Sequence, residues 1–88
     1  LSYSQFYFYE KGEYMTNWKI NNQSQRHLMI QEHANEISIV EPYHNGSFKI
    51  LAEINLNQTS NEAQLNDENL YVSVSKEHKE INIFDKVK

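Results

Sequence analysis

Residues 47 to 57 read as a strict alternation: Phe48, Ile50, Ala52, Ile54 and Leu56 are interleaved with Lys49, Leu51, Glu53 and Asn55. Side chains at i and i+2 share a face only in a β-strand, so this run predicts one. Directly before it stands Asn45-Gly46, the dipeptide best suited to a type I′ hairpin turn, which needs positive φ at both central residues. A two-residue loop there pairs His44 with Ser47. It sets Tyr43 opposite Phe48, Ile39 opposite Ala52 and Ile37 opposite Ile54, all apolar pairs on one face. The register has one flaw, Glu41 opposite Ile50, which predicts a bulge or sheet edge near Pro42.

The same period of two runs through most of the chain. Strands are predicted over 3–9 (YSQFYFY), 14–20, 27–32, 36–41, 70–75 and 80–84. The last two form a hairpin whose four-residue loop, 76–79, sets Val74 against Ile81 and Val72 against Ile83. Residues 57–69 (NQTSNEAQLNDEN) lack the alternation. Thr59-Ser60-Asn61-Glu62 fits a capping box, so this stretch is expected as a loop or as one helical turn near Ser60 to Leu65. The expected fold is all-β: one domain over 1–88, an antiparallel meander of about seven strands forming a small barrel or strongly curved sheet, with a two-layer sandwich as the alternative. Its expected core is Trp18, Ile20, Leu28, Ile30, Ile37, Ile39, Phe48, Ile50, Ile54, Leu56, Leu70, Val72, Val74, Ile81 and Ile83.

Composition narrows the function. With 88 residues there is room for one core. No apolar run is long enough to span a membrane as a helix. A formal charge of −4 disfavours nucleic acid as a partner, which calls for a basic face. The absence of Cys removes thiol nucleophiles and thiolate zinc sites. His27, His33, His44 and His78 follow no metal-ligand spacing, and Gly12 and Gly46 alone cannot build a phosphate loop. The chain is therefore expected to have no catalytic residues, no metal and no cofactor. Three Asn-x-Ser/Thr triplets, at Asn22, Asn45 and Asn57, fall in expected loops, but a chain with so many Asn acquires such triplets by chance.

The aromatic strand carries the sharpest functional expectation. Tyr3, Tyr7 and Tyr9 share one face and Phe6 and Phe8 the other. Phe lacks a polar handle and is assigned to the core; Tyr keeps its hydroxyl wet, so Tyr3, Tyr7 and Tyr9 are the expected interaction patch. The reading is a non-catalytic binding module that meets a protein partner or a second copy of itself. It suits the exposed domain of an anchored or exported bacterial protein, with an extracytoplasmic location favoured. The competing class is an inhibitor or immunity-type protein whose acidic surface meets a basic partner; a small-ligand carrier is a minor third.

Overall fold

The computed structural model describes residues 6–9, 13–15 and 18–86, with the backbone alone for the first two segments and for His33. The described residues are all-β, without a helix. In chain order the strands are β1 (Phe6–Tyr9), β2 (Glu13–Met15), β3 (Trp18–Asn22), β4 (Leu28–His33), β5 (Glu36–Pro42), β6 (Phe48–Asn55), β7 (Ala63–Leu65), β8 (Leu70–Ser75) and β9 (Glu80–Asp85). They form two sheets, one ordered β1-β4-β5-β6-β7 and the other β2-β3-β9-β8. The meander expected from the sequence is present from β4 to β7. It does not close into a barrel; two sheets enclose one core, as in the two-layer alternative.

That core draws on both sheets. Leu28, Ile30, Ile37, Ile39, Leu51, Ala52 and Ile54 from the first meet Trp18, Ile20, Leu70, Val72, Val74, Ile81 and Ile83 from the second. Each fully buried Ile or Leu contributes roughly 2 kcal/mol of apolar transfer. Central strand β5 is buried on both faces. Ile37 and Ile39 enter the core, while Ser38 and Val40 are buried on the other side, where Val40 lies between Met29 and Ile50 across the ladders.

The β5–β6 hairpin corrects the expected turn. Ile39↔Ala52 and Ile37↔Ile54 pair as the alternation implies, but nearer the turn the partners are Val40↔Ile50, Glu41↔Lys49 and Pro42↔Phe48. Leu51 is the extra residue of a bulge, opposite the step from Ile39 to Val40. The Gly46 N–H donates to the Tyr43 carbonyl at 3.1 Å and the Tyr43 N–H to the Ser47 carbonyl at 2.8 Å. Gly46 has φ +88°, whereas Asn45 is not among the positive-φ residues. A type I′ turn needs both, so this is the three-residue loop in which a tight turn is followed by a left-handed Gly. The longer loop shifts the register by one and the bulge restores it. Glu41 thereby escapes Ile50, Leu51 becomes core, and Phe48 ends 40% exposed with Ile50 and Leu56 only half-buried.

Three more differences follow from contacts distant in sequence or from turns that interrupt the alternation. The run 14–20 is not one strand: the chain reverses between Met15 and Trp18, which pair as β2 and β3. Ala63–Leu65 is not a helical turn but an edge strand on β6, with Ala63 opposite Ile54 and Leu65 opposite Ala52. Pairing satisfies backbone groups that a single helical turn would leave open. Finally, β3 runs parallel to β9, with Ile20 opposite Ile81 and Asn22 opposite Ile83, an exception to the expected antiparallel pattern. The 70–85 hairpin matches its expected register, including Val72↔Ile83 and Val74↔Ile81.

Candidate functional site

Inward residues of the second sheet fix what its outer face displays. Trp18, Ile20, Leu70, Val72, Val74, Ile81 and Ile83 take the core side, so Lys19 and Asn21 of β3, Glu80, Asn82 and Phe84 of β9, and Tyr71, Ser73 and Ser75 of β8 take the other. The ladders align these residues in rows. Asn21 lies beside Asn82 and Asn82 beside Ser73; Phe84 lies beside Tyr71. The Asn21 Nδ2–H donates to Asn82 Oδ1 at 3.0 Å. The Tyr71 and Phe84 rings stand 6.1 Å apart at an interplanar angle of 34°, within the range of a favourable tilted pair. Tyr71 is nevertheless 51% exposed. The arrangement is a half-wet aromatic pair flanked by amides and hydroxyls.

A second cluster sits at the end of the sandwich where β3, β5 and β9 finish and β6 and β8 begin. Asn22 is 5% exposed; its Nδ2–H donates to the Arg26 carbonyl at 2.8 Å, and its Oδ1 accepts from the Ser24 N–H and hydroxyl. This ordered loop delivers Arg26 between two carboxylates. The guanidinium forms a fork on Glu41 (3.2 and 2.8 Å) and another on Asp67 (3.2 and 2.9 Å), and Lys49 lies 3.8 Å from Asp67. Hydrogen bonds from Arg26 and from the Asn69 backbone N–H hold the Asp67 carboxyl down at about 2, and the two carboxylates raise Arg26 above its ordinary value. Four of the five N–H donors of this guanidinium are engaged by the two carboxylates, so the cluster is a clamp that ties loops together.

At the opposite end Glu36, Glu53, Asn55, Gln58, Glu62, Ala63 and Gln64 line an open depression of about 220 Å³. The Lys76 ammonium donates to the carbonyls of Asn55 and Gln58 on its rim. His27, His44 and His78 are exposed in separate loops. Among the described residues no group of three or more His, Cys, Asp or Glu could hold a metal ion. No described helix is long and apolar enough to cross a membrane.

Of the three tyrosines expected to form a patch, Tyr3 lies outside the described residues. Tyr7 and Tyr9 are described through their backbone, which pairs Tyr7 with Ile30 and Tyr9 with Leu28; Phe6 pairs with Gln31 and Phe8 with Met29. Ile30 and Leu28 are core residues. The expected patch of Tyr3, Tyr7 and Tyr9 lies outside the described side chains. Tyr71 and Phe84 were legible as strand residues in the sequence, and their opposition followed from the correct hairpin register. The missed signal was that both stand out of phase with the apolar residues around them. Comparison with known protein families, with curated proteins and with solved structures finds no match.

Proposed function

We propose that this chain is a non-catalytic binding module that engages a protein partner through the outer face of its second sheet, with Tyr71 as the anchor. The observation that carries this reading is the exposure of Tyr71 while it rests on Phe84. An aromatic side chain already held by a neighbour loses little conformational freedom on binding, and such residues dominate interface energetics. The neighbouring Asn21, Asn82 and Ser73 supply the polar rim such a contact needs. The side chains of Tyr7 and Tyr9 lie outside what the structure describes, so the proposal rests on Tyr71 and Phe84 and not on the N-terminal strand. A location on the exposed side of an anchored or exported protein suits this role, and the full-length reading frame tests that part.

The test is a Tyr71→Ser substitution. Folding stability is expected to change by less than about 1 kcal/mol, since one exposed ring pair is lost. Affinity for a purified partner, or self-association read by sedimentation, is expected to fall at least tenfold. Unchanged association would refute the assignment of the face.

A second reading, an acidic inhibitor-type protein that meets a basic partner, draws support from Glu36, Glu53 and Glu62 around the open depression. It predicts association that weakens steeply with salt and is insensitive to Tyr71→Ser.

A further inference from the structure

The geometry points to Asn45 as a site of spontaneous intramolecular deamidation, a covalent change built into the tip of the β5–β6 hairpin. In this reaction the Gly46 amide nitrogen, after losing its proton to solvent base, attacks Cγ of Asn45. The N–Cγ bond forms, the Cγ–Nδ2 bond breaks, and Nδ2 leaves as ammonia after taking a proton from water. The product is a five-membered succinimide. Water then adds to one of its two carbonyls and opens the ring to aspartate or isoaspartate. Ammonia leaves, water enters, and nothing is oxidised or reduced.

Three features of the turn favour the step here. Asn45 is the one Asn in the sequence that is followed by Gly, and every other Asn precedes a residue whose side chain crowds the attacking nitrogen. Both residues are exposed, and a Cβ built on Gly46 would meet nothing within 4 Å, so the space around the attacking residue is open to solvent base. The Asn45 side-chain oxygen accepts the Ser47 N–H at 3.0 Å and the Ser47 hydroxyl at 2.6 Å. Two donors on that oxygen draw charge from Cγ and stabilise the oxyanion that forms as nitrogen adds, the same device that enzymes use for acyl transfer. The attacking nitrogen is committed only to the Tyr43 carbonyl at 3.1 Å, through a bond at the solvent-facing tip. Asn22 makes the contrast: its amide oxygen is also polarised, by Ser24, but its Nδ2 is bonded to Arg26, it is buried, and Gln23 follows it.

The change adds a negative charge to a chain of formal charge −4. In its isoaspartate form it also inserts a methylene into the turn beside exposed Tyr43. The experiment incubates the folded protein at mildly alkaline pH and follows intact mass and peptide maps over time. A gain of one dalton at Asn45, as a mixture of aspartate and isoaspartate and ahead of every other Asn, is expected. Ser47→Ala is expected to slow it severalfold in the folded protein and to leave the urea-denatured rate unchanged; Gly46→Ala is expected to suppress it in both states. An intact Asn45 while other Asn residues react, or a folded Ser47→Ala protein that reacts as fast as the native one, would overturn the inference.

Discussion

The two ends of the sandwich are tied by different chemistry. At one end Arg26 bridges the β3–β4 loop to Glu41 on β5 and to Asp67 in the β7–β8 loop, charge against charge. At the other, Lys76 ties the β8–β9 turn to the β6–β7 loop through neutral acceptors: its ammonium meets the Asn55 and Gln58 carbonyls, and its backbone N–H meets Asn61 Oδ1 at 3.0 Å. The ends also differ in backbone. The left-handed residue at the first end is Gly46; at the second, Ala34 and Lys79 hold φ of 51° and 52°. One end thus depends on carboxylate ionisation and has a glycine where the backbone asks for one. The other is tied through neutral acceptors and carries steric strain in two turns.

Removing the ionic clamp should have the largest effect. Arg26→Met leaves Glu41 and Asp67 facing each other without their shared cation, at an expected cost of about 2 kcal/mol for the lost charged hydrogen bonds. A urea midpoint unchanged from native would mean that the loops hold this end without it.

Acid should undo the same end selectively. Asp67 titrates at about 2 in the folded chain, against 3.8 as its ordinary value. A lowered carboxyl contributes stability that is fully present above pH 3.8 and is lost as pH falls toward about 2. Native protein should therefore lose stability across that window relative to Asp67→Asn, and the two should converge below it. The Lys76 contacts involve neutral acceptors and should add no acid transition of their own. Parallel curves for the two proteins from neutral pH downward would break the comparison.

What the sequence revealed follows the range of the interactions. The final hairpin was legible to the residue because its register is set by one local loop and two apolar strands. The β5–β6 hairpin was legible away from its turn, where Ile37 and Ile39 choose their partners, and wrong within it. Asn45-Gly46 fits two loop lengths, and the bulge that decides between them is placed by burial of Leu51 and Val40. Neither clamp was readable. Arg26 is the lone Arg of the sequence, yet Glu41 and Asp67 lie 15 and 41 residues away, and no local pattern encodes such contacts. The parallel β3–β9 ladder was hidden for the same reason. Tyr71 read as an ordinary strand residue until the ladder placed it outside, on Phe84.

Gly46→Val tests the backbone of the ionic end. With φ at +88° a β-branched residue is strained whatever space surrounds it, and a loss of roughly 1–2 kcal/mol is expected. An unchanged denaturation midpoint would show that the turn can rearrange. Lys76→Met tests the neutral clamp at the other end. Its contacts are solvent-exposed, so a smaller loss of about 1 kcal/mol is expected, and amide exchange should quicken across residues 55–61 more than anywhere else. Uniform quickening would mean that Lys76 supports the whole domain and not one end.

The smallest effect has the opposite sign. Ala34 and Asn35 form the two-residue loop between His33 and Glu36, with positive φ at the first loop residue and not at the second. That is the pattern of a type II′ turn, in which the first position favours Gly. Ala34→Gly removes a steric penalty of about 1–2 kcal/mol for a side chain in the left-handed region. It adds about 0.5–1 kcal/mol of unfolded-state entropy, since Gly has more freedom to lose. The balance is a gain on the order of 0.5 kcal/mol, read as a raised urea midpoint. The same substitution logic applied at Gly46 runs downhill, because glycine is already in place there. If Ala34→Gly instead destabilises the domain, the turn is not strained, and the contrast in backbone between the two ends disappears while the contrast in charge remains.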